Sequence, residues 1–325
     1  MSYSEPTVAF IGCGQSLNPQ SSPQLTVDSS LPAGNMGGAI LHGILDAAFS
    51  SKASDFNQTR PVSRFIACTK TAASADRLKA SIPVEQQPHV QVISSQAVPV
   101  QAMSYADIVV LGFKPFMADD VLSTEGVKEA LAGKLVISLL AGQTPQNLAR
   151  IIRESSTDLN GVKSSGATEP VIVKAIPNMG AQFRQSITII ETPEEPIPEH
   201  MTEIVEWMFK QVGEIKYLPQ SQMDLGSVLV GAALAAMTVP IEGILDGCVA
   251  EGLRRNDAME MLLGGLRGLS AALESGIHPA VLRESISSPR GCTIQALLTL
   301  EKAGSRADYA EAIINGTQHL KKADK

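Results

Sequence analysis

Cysteine is scarce and scattered. Cys13, Cys68, Cys248 and Cys292 are the only four in 325 residues, and no two share a C-x-x-C spacing. That pattern excludes a disulfide framework or a zinc ribbon, and it fits buried apolar thiols in a reducing compartment, with Cys292 the one exception to weigh. Basic runs are also lacking. With a net charge of -7 and no cluster of Lys and Arg, the chain has no electrostatic footprint for nucleic acid, whose binding rests on such clusters. Met1-Ser2-Tyr3-Ser4-Glu5-Pro6 has neither the basic nor the apolar region of a secretory signal, and no Arg-rich transit pattern follows; a cytoplasmic location is expected. Leu225 to Ile241 is uncharged but rich in Gly and Ala, contains Pro240 and is bounded by Asp224 and Glu242. It is shorter than the roughly 20 residues of a membrane span, so no membrane partner is expected. A helix apolar on all sides belongs in a large core or a subunit interface.

What is present is enough apolar residue, 44% of the chain, to fill two cores. Val8-Ala9-Phe10-Ile11-Gly12-Cys13-Gly14 reads as a strand entering a glycine turn, broken off and resumed at Gly34-Asn35-Met36-Gly37-Gly38-Ala39-Ile40. Without residues 15–34 the halves join as Gly12-Cys13-Gly14-Asn35-Met36-Gly37, a G-x-G-x-x-G between an apolar strand and a helix. In such a turn the glycines permit the bend, the approach of a pyrophosphate and close helix packing, and helix N–H groups hold the anion. A glycine-rich turn without a ligand is the plain alternative.

Strand and helix then alternate. Phe65 to Cys68, Val90 to Ile93, Asp107 to Leu111, Leu135 to Leu139, Val171 to Ile176, Ser186 to Glu191 and Glu214 to Leu218 read as strands, with helical patterns between most of them and a polar loop at Thr157 to Glu169. This is the pattern of an α/β doubly wound sheet, whose ligands lie at the carboxyl ends of the strands. After Pro219 only helices are expected: about Gln222 to Glu251, Asn256 to Glu274, Pro279 to Ser287, Thr293 to Lys302 and Arg306 to Leu320, with Gly252, Gly276 and Gly304 at the stops. The expected division is residues 1–219, with an insertion at 15–34, and residues 220–325.

Cofactor choice is read at the end of the second strand. Cys68-Thr69-Lys70-Thr71 carries no carboxylate to bind the ribose hydroxyls of NAD, whereas Thr69, Lys70 and Thr71 suit a 2′-phosphate. NADPH is preferred, with NAD open; a solvated turn capped by Thr71 is the alternative. Lys114-Pro115 and Ala141-Gly142 follow two further strands on the same side. Lys114 either contacts cofactor or is a surface lysine before a helix-starting proline. Asn178, in Pro177-Asn178-Met179-Gly180, either orients nicotinamide or substrate or closes an Asx-turn.

Ser287-Ser288-Pro289-Arg290-Gly291-Cys292-Thr293-Ile294 carries the chemistry of the helical half. A turn runs into a helix, so the N–H groups of Gly291, Cys292, Thr293 and Ile294 can converge with the hydroxyls of Ser288 and Thr293 on a carboxylate. Ordinary N-capping is the alternative, and Arg290 either pairs with the anion or is solvated. His278 before Pro279 reads as structural.

Here the chain resembles the pyrroline-5-carboxylate reductase family. Gly243 to Leu253, Leu273 to Arg283 and Ser287 to Ile294 are similar to that family's helical domain, and the likeness extends from Thr7 nearly to Lys321 through Phe10 to Gly14, Lys114-Pro115, Ala141-Gly142 and Pro177-Asn178. The resemblance implies NAD(P)H-dependent reduction of L-1-pyrroline-5-carboxylate, a small cyclic imine, to L-proline. It also implies a Rossmann-type sheet followed by a helical dimerisation domain that shares the active site with its mate, higher oligomers being open. By that likeness Thr293 and Ser288 serve catalysis; Gly291, Cys292, Thr293 and Asn178 bind substrate; Gly12, Gly14, Asn35, Met36, Gly37, Thr69, Lys70, Lys114, Pro115, Ala141, Gly142 and Asn178 bind cofactor; and no metal is called for.

Departures bear on the exact substrate. Arg290 and Cys292 replace a glycine and a threonine of the family's serine-proline-glycine-glycine-threonine-threonine pattern. Val230-Gly231-Ala232-Ala233-Leu234 replaces an entry rich in serine, glycine and proline, and Asn178-Met179-Gly180 replaces asparagine-threonine-proline. A nucleotide-binding dimer without turnover, a reductase of a related cyclic imine and a beta-hydroxyacid dehydrogenase remain as alternatives. The last is disfavoured because no lysine occurs between Lys216 and Lys302. Residues 15–34 are either an outward flap or an intron retained in the reading frame.

Overall fold

Strand β1 (Thr7–Ile11) shows how the sheet is made. Val8 and Phe10 enter one buried apolar layer, Ala9 and Ile11 the other, as a period of two requires when helices cover both faces. The structure, a computed structural model, describes residues 6–13, 36–49, 61–155 and 168–323. Gly14, Asn35, the insertion 15–34 and most of the 157–169 loop lie outside the described residues.

The elements following β1 are α1 (Met36–Phe49), β2 (Arg64–Thr69), α2 (Ala72–Ser81), β3 (Val90–Ser94), α3 (Val100–Tyr105), β4 (Ile108–Leu111), α4 (Ala118–Leu122), α5 (Val127–Leu131), β5 (Leu135–Ser138), α6 (Pro145–Glu154), β6 (Val171–Ile176), β7 (Ser186–Glu191), α7 (Glu199–Lys210) and β8 (Gly213–Leu218). The strands form one sheet in the order β3-β2-β1-β4-β5-β6-β7-β8. β1 to β6 are parallel, β7 runs antiparallel to β6, and β8 is parallel to β7. The reversal at β7 was not foreseen, because a buried apolar run does not encode its direction.

One face is covered by α1, through Ile40, Leu41, Ile44 and Leu45, and by α7, through Val205, Met208 and Phe209. The other is covered by α3 to α6, including Met103, Leu122, Leu131 and Leu148. Local capping follows the sequence: Thr144 accepts from the Asn147 N–H at 3.1 Å and Thr71 from the Ser74 N–H at 3.2 Å. Each satisfies one of the donors a helix start leaves open. Sheet and helices thus form a Rossmann-type mixed architecture.

The chain then turns wholly helical: α8 (Gln220–Ser227), a π-helical turn at Val228–Ala232, α9 (Ala233–Ala250), α10 (Arg255–Glu274), α11 (Pro279–Ser285), α12 (Cys292–Lys302) and α13 (Ser305–Ala323). Gly252, Gly276 and Gly304 adopt positive φ at three of the stops, the left-handed geometry that ends helices. Compactness divides the chain into Met1–Gly231 with Leu320–Lys325, and Ala232–His319.

In the first unit Met223 and Val230 pack on Ile176 and Ile189. In the second, Leu245 and Ala258 are the only buried apolar residues among those described. Of the two places the sequence allows for the helix over Leu225 to Ile241, a large core or a subunit interface, its exposure leaves the second. Gln220 to Ala250 is continuous over 31 residues, and 17% of its most apolar 18-residue window is buried. By length and composition alone it could cross a membrane. Apolar residues all round a helix signal burial but do not say whether the cover comes from the same chain.

Candidate active site

Three glycines shape the ligand edge of the sheet. Gly12 leaves β1 with φ 103°, and a Cβ there would lie 2.7 Å from the Phe113 amide nitrogen and 2.9 Å from the Gly112 carbonyl carbon. Gly112 leaves the neighbouring β4, donating its N–H to the Ile11 carbonyl at 2.8 Å. A Cβ on Gly112 would lie 3.5 Å from the Gly37 Cα. Backbones at the ends of β1 and β4 and the start of α1, where Met36 and Gly37 sit, therefore meet without intervening side chains. This is the switch point of the strand order, where open α/β sheets bind their ligands. Gly12, Met36 and Gly37 stand where the sequence places them. Gly112 was missed, although a glycine directly after an apolar strand is the same signal that singles out Gly12.

The thiols beneath this edge are inert. Cys13 is buried and its Sγ contacts the Phe10 carbonyl at 3.8 Å. Burial first, then neighbouring Cys68, pushes its pKa far above the ordinary thiol value. Burial alone raises Cys68 to about 12.

At the end of β2 the Thr69 expectation needs correcting. Thr69 is 3% exposed, and its hydroxyl points at the Thr71 carbonyl at 3.1 Å and the Ile93 carbonyl at 3.4 Å. A hydroxyl has one proton, so Thr69 is committed to the backbone and does not serve as a phosphate donor. Thr71 is likewise occupied by capping. Lys70 is exposed beside them. One turn into α2, Arg77 donates to the Ser74 Oγ at 3.2 Å, which also receives the Thr71 hydroxyl at 2.9 Å. Lys70 and Arg77 thus bring two cations to the strand end. Arg77 was missed because it lies past the turn, although the i, i+3 spacing from Ser74 places both on one helix face.

Lys114 is exposed, and Pro115 opens a short 3-10 turn after β4. Ala141 and Gly142 follow β5, Gly142 with φ 76°. Asn178 follows β6, 6% exposed. Its side-chain oxygen accepts from the Gly180 N–H at 2.8 Å, so the Asx-turn is formed. Nearby, Lys174 on β6 is 2% exposed and Glu191 on β7 is 6% exposed. Burial raises the Glu191 pKa, Lys174 opposes that rise, and Glu194 and Asp224 add to it.

The second unit holds the other set. Ser288 to Gly291 is a turn closed by the Gly291 N–H on the Ser288 carbonyl at 3.0 Å. Gly291 is therefore not among the open donors, which corrects that expectation. Arg290 takes φ 62°, the left-handed conformation wanted at the third position of a type II turn after proline. A Cβ on Gly291 would fall 2.4 Å from the Ser288 Oγ and 3.1 Å from its carbonyl oxygen, so a larger residue there would displace the Ser288 hydroxyl. Gly291 caps α12 without a side-chain bond, which leaves the N–H groups of Cys292, Thr293 and Ile294 facing outward. Cys292 is exposed and Thr293 half-buried. His278 caps α11, its Nδ1 accepting from the Ala280 N–H at 3.2 Å, in keeping with its structural reading.

Fold and site define a class: a Rossmann-type nucleotide-binding sheet followed by an all-helical unit. Residues 220–323 match the family model for pyrroline-5-carboxylate reductase dimerisation, and residues 31–142 match that for coenzyme F420-dependent NADP oxidoreductases. A pyrroline-5-carboxylate reductase of Neurospora crassa is 36% identical, covering 92% of each chain. One of Lophium arboricola is 34% identical, covering 97% of this chain and 92% of the other. The chain belongs to the pyrroline-5-carboxylate reductase family. In fold it is similar to the Plasmodium falciparum pyrroline carboxylate reductase with NADP bound, at 20% identity, TM-score 0.73 and 98% coverage of both chains.

Proposed function

We propose that this oxidoreductase reduces L-1-pyrroline-5-carboxylate to L-proline with NADPH in preference to NADH, as a cytoplasmic homodimer formed through residues 220–325, with 1–219 as the cofactor domain. The observation that carries the substrate reading is the Ser288–Thr293 turn, with three outward N–H groups at the start of α12 and the Ser288 and Thr293 hydroxyls beside them. Family membership gives that turn its ligand. The Neurospora and Lophium relatives are named for the same reaction.

The glycine junction of Gly12, Gly37 and Gly112 suits a pyrophosphate, because a Cβ at Gly12 would strike the Gly112 and Phe113 backbone and spoil the tight turn that would receive the anion. Lys70 and Arg77 suit a 2′-phosphate. When bound, the reduced nicotinamide supplies the hydride. The protein's part is to hold and orient. Lys114-Pro115, Ala141-Gly142 and Asn178 would hold the nicotinamide end, while Cys292, Thr293 and Ile294 would fix the substrate carboxylate and so aim the imine carbon. Water or the Thr293 hydroxyl supplies the proton to the imine nitrogen.

The apolar outward faces of α9, α10 and α12 support a second copy as partner. The open thiols support a reducing compartment. A second reading, a nucleotide-binding dimer without turnover, draws on Arg290 and Cys292 within the cradle. Proline formation from pyrroline-5-carboxylate, measured beside NADPH binding by the purified dimer, separates the two. Tight binding without turnover would overturn the reductase reading.

A further inference from the structure

Asn178 is held so that its amide has one orientation. Its backbone N–H donates to the Ser186 Oγ at 3.1 Å, and its Oδ1 accepts from the Gly180 N–H at 2.8 Å. An N–H donor can face only the oxygen of an amide, so the flip that is usually ambiguous is settled here by the neighbour. Gly180 is suited to this task on two counts. It has the N–H that proline, the residue of the family pattern at this place, lacks. A Cβ on it would also fall 2.5 Å from the Gln185 carbonyl oxygen and 2.9 Å from the Asn178 Oδ1.

The outer half of the amide is Nδ2, with two N–H bonds and no acceptor. Among the described residues Nδ2 makes no hydrogen bond. Nδ2 stands without a partner in a residue that is only 6% exposed. It does so at the end of β6, next to β5 and the Ala141-Gly142 loop in the sheet order.

We infer that Gly180 and Ser186 are positioning residues that make Asn178 a donor-only reader of an sp2 oxygen on the bound ligand. The inference rests on the reading under Proposed function and adds a polarity to it. That oxygen belongs either to the nicotinamide carboxamide or to the substrate carboxylate; both accept the same N–H.

Asn178→Asp is the discriminating variant. Aspartate forms the same turn with the Gly180 N–H, but its outer atom is an acceptor. If Asn178 only shapes the turn, the Asp variant behaves as the wild type while Asn178→Ala loses the turn. If Nδ2 reads an oxygen, the Asp variant keeps the turn and loses at least about tenfold in one of two measurements. These are the NADPH Kd from fluorescence titration without substrate, which points to the carboxamide, and the KM for pyrroline-5-carboxylate, which points to the carboxylate. An Asp variant within twofold of wild type in both overturns the inference.

Hydrogen exchange at the Gly180 amide tests the pinning itself. It is expected to be slow in wild type and the Asp variant and fast in the Ala variant; equal rates in wild type and Ala would overturn the positioning role. Wild-type turnover in the same assay keeps the two proposals apart, since the NADPH titration reads Asn178 even in a chain that makes no proline.

Discussion

Phe10 and Leu298 are both large apolar side chains with opposite surroundings. Phe10 is 1% exposed, enclosed by α1 and the neighbouring strands, whereas Leu298 on α12 is 56% exposed. Around Phe10 the sheet is covered on both faces by its own helices. Elsewhere in the second unit Ile244, Met261, Val281, Ile286, Leu300 and Ile314 are also more than half exposed. Apolar surface on this scale marks an interaction site. The difference teaches that the first unit finds its hydrophobic stabilisation within the chain, whereas the second leaves its apolar side chains open, as the proposed homodimer requires.

The strongest way to break that comparison is a charge at the exposed face. Ile244→Asp should convert the dimer to monomer in sedimentation velocity, and proline formation should fall on the order of 100-fold because an unpaired charge at a buried interface is costly. NADPH affinity should change less than about threefold, a ligand-binding error of fractions of a kcal/mol. An intact dimer would mean that α9 is not the contact.

The next test sharpens the contrast by truncation. Phe10→Ala should cost about 3–5 kcal/mol in denaturant unfolding. Leu298→Ala, made in the monomeric Ile244→Asp background, should stay within about 0.5 kcal/mol. Similar costs would show that the second unit has a core of its own.

Arg290→Gly should stabilise the second unit by about 1 kcal/mol, because a left-handed φ strains any residue with a Cβ. Unchanged unfolding would show that the turn is relaxed.

The smallest effect lies in the first unit. His42 on α1 has its pKa lowered, by burial first, against the pull of Asp46, and its Nε2 lies 3.0 Å from the Ser81 Oγ. A lowered histidine contributes stability that is fully present above its ordinary value and is lost as pH falls through the folded value. The slope from this one proton is at most about 1.4 kcal/mol per pH unit. Unfolding measured from pH 7 down to 5 should therefore show a shallower loss in His42→Gln than in wild type; parallel curves would remove His42 from the account.

Sequence reading reached the first unit more surely than the second. Val171–Ile176 and Ser186–Glu191 are strands at their expected bounds, since apolar β runs between turn residues leave little choice. The cap at Thr71 was legible because a hydroxyl before a helix has a local task. The misses come from interactions that sequence spacing does not carry. Thr69 looks like a phosphate donor until the Ile93 carbonyl of the adjacent strand is placed beside it, and Gly291 looks open until the Ser288 carbonyl closes the turn. Arg77 and Gly112 needed a helix face and a neighbouring strand end to join the site. The apolar face of α9 was legible as core or interface, because periodicity reports apolarity and not ownership of the cover.

The cysteines have a practical consequence. Cys13 and Cys68 are buried and held protonated, and Cys248 is half-buried, while Cys292 is exposed at the first position of α12. A maleimide fluorophore or nitroxide added to the folded native chain should couple first at Cys292, because only an accessible thiolate reacts. The protein therefore carries its own labelling site next to Thr293, and slower coupling in the presence of pyrroline-5-carboxylate would report occupancy of the proposed cradle without engineering a single residue.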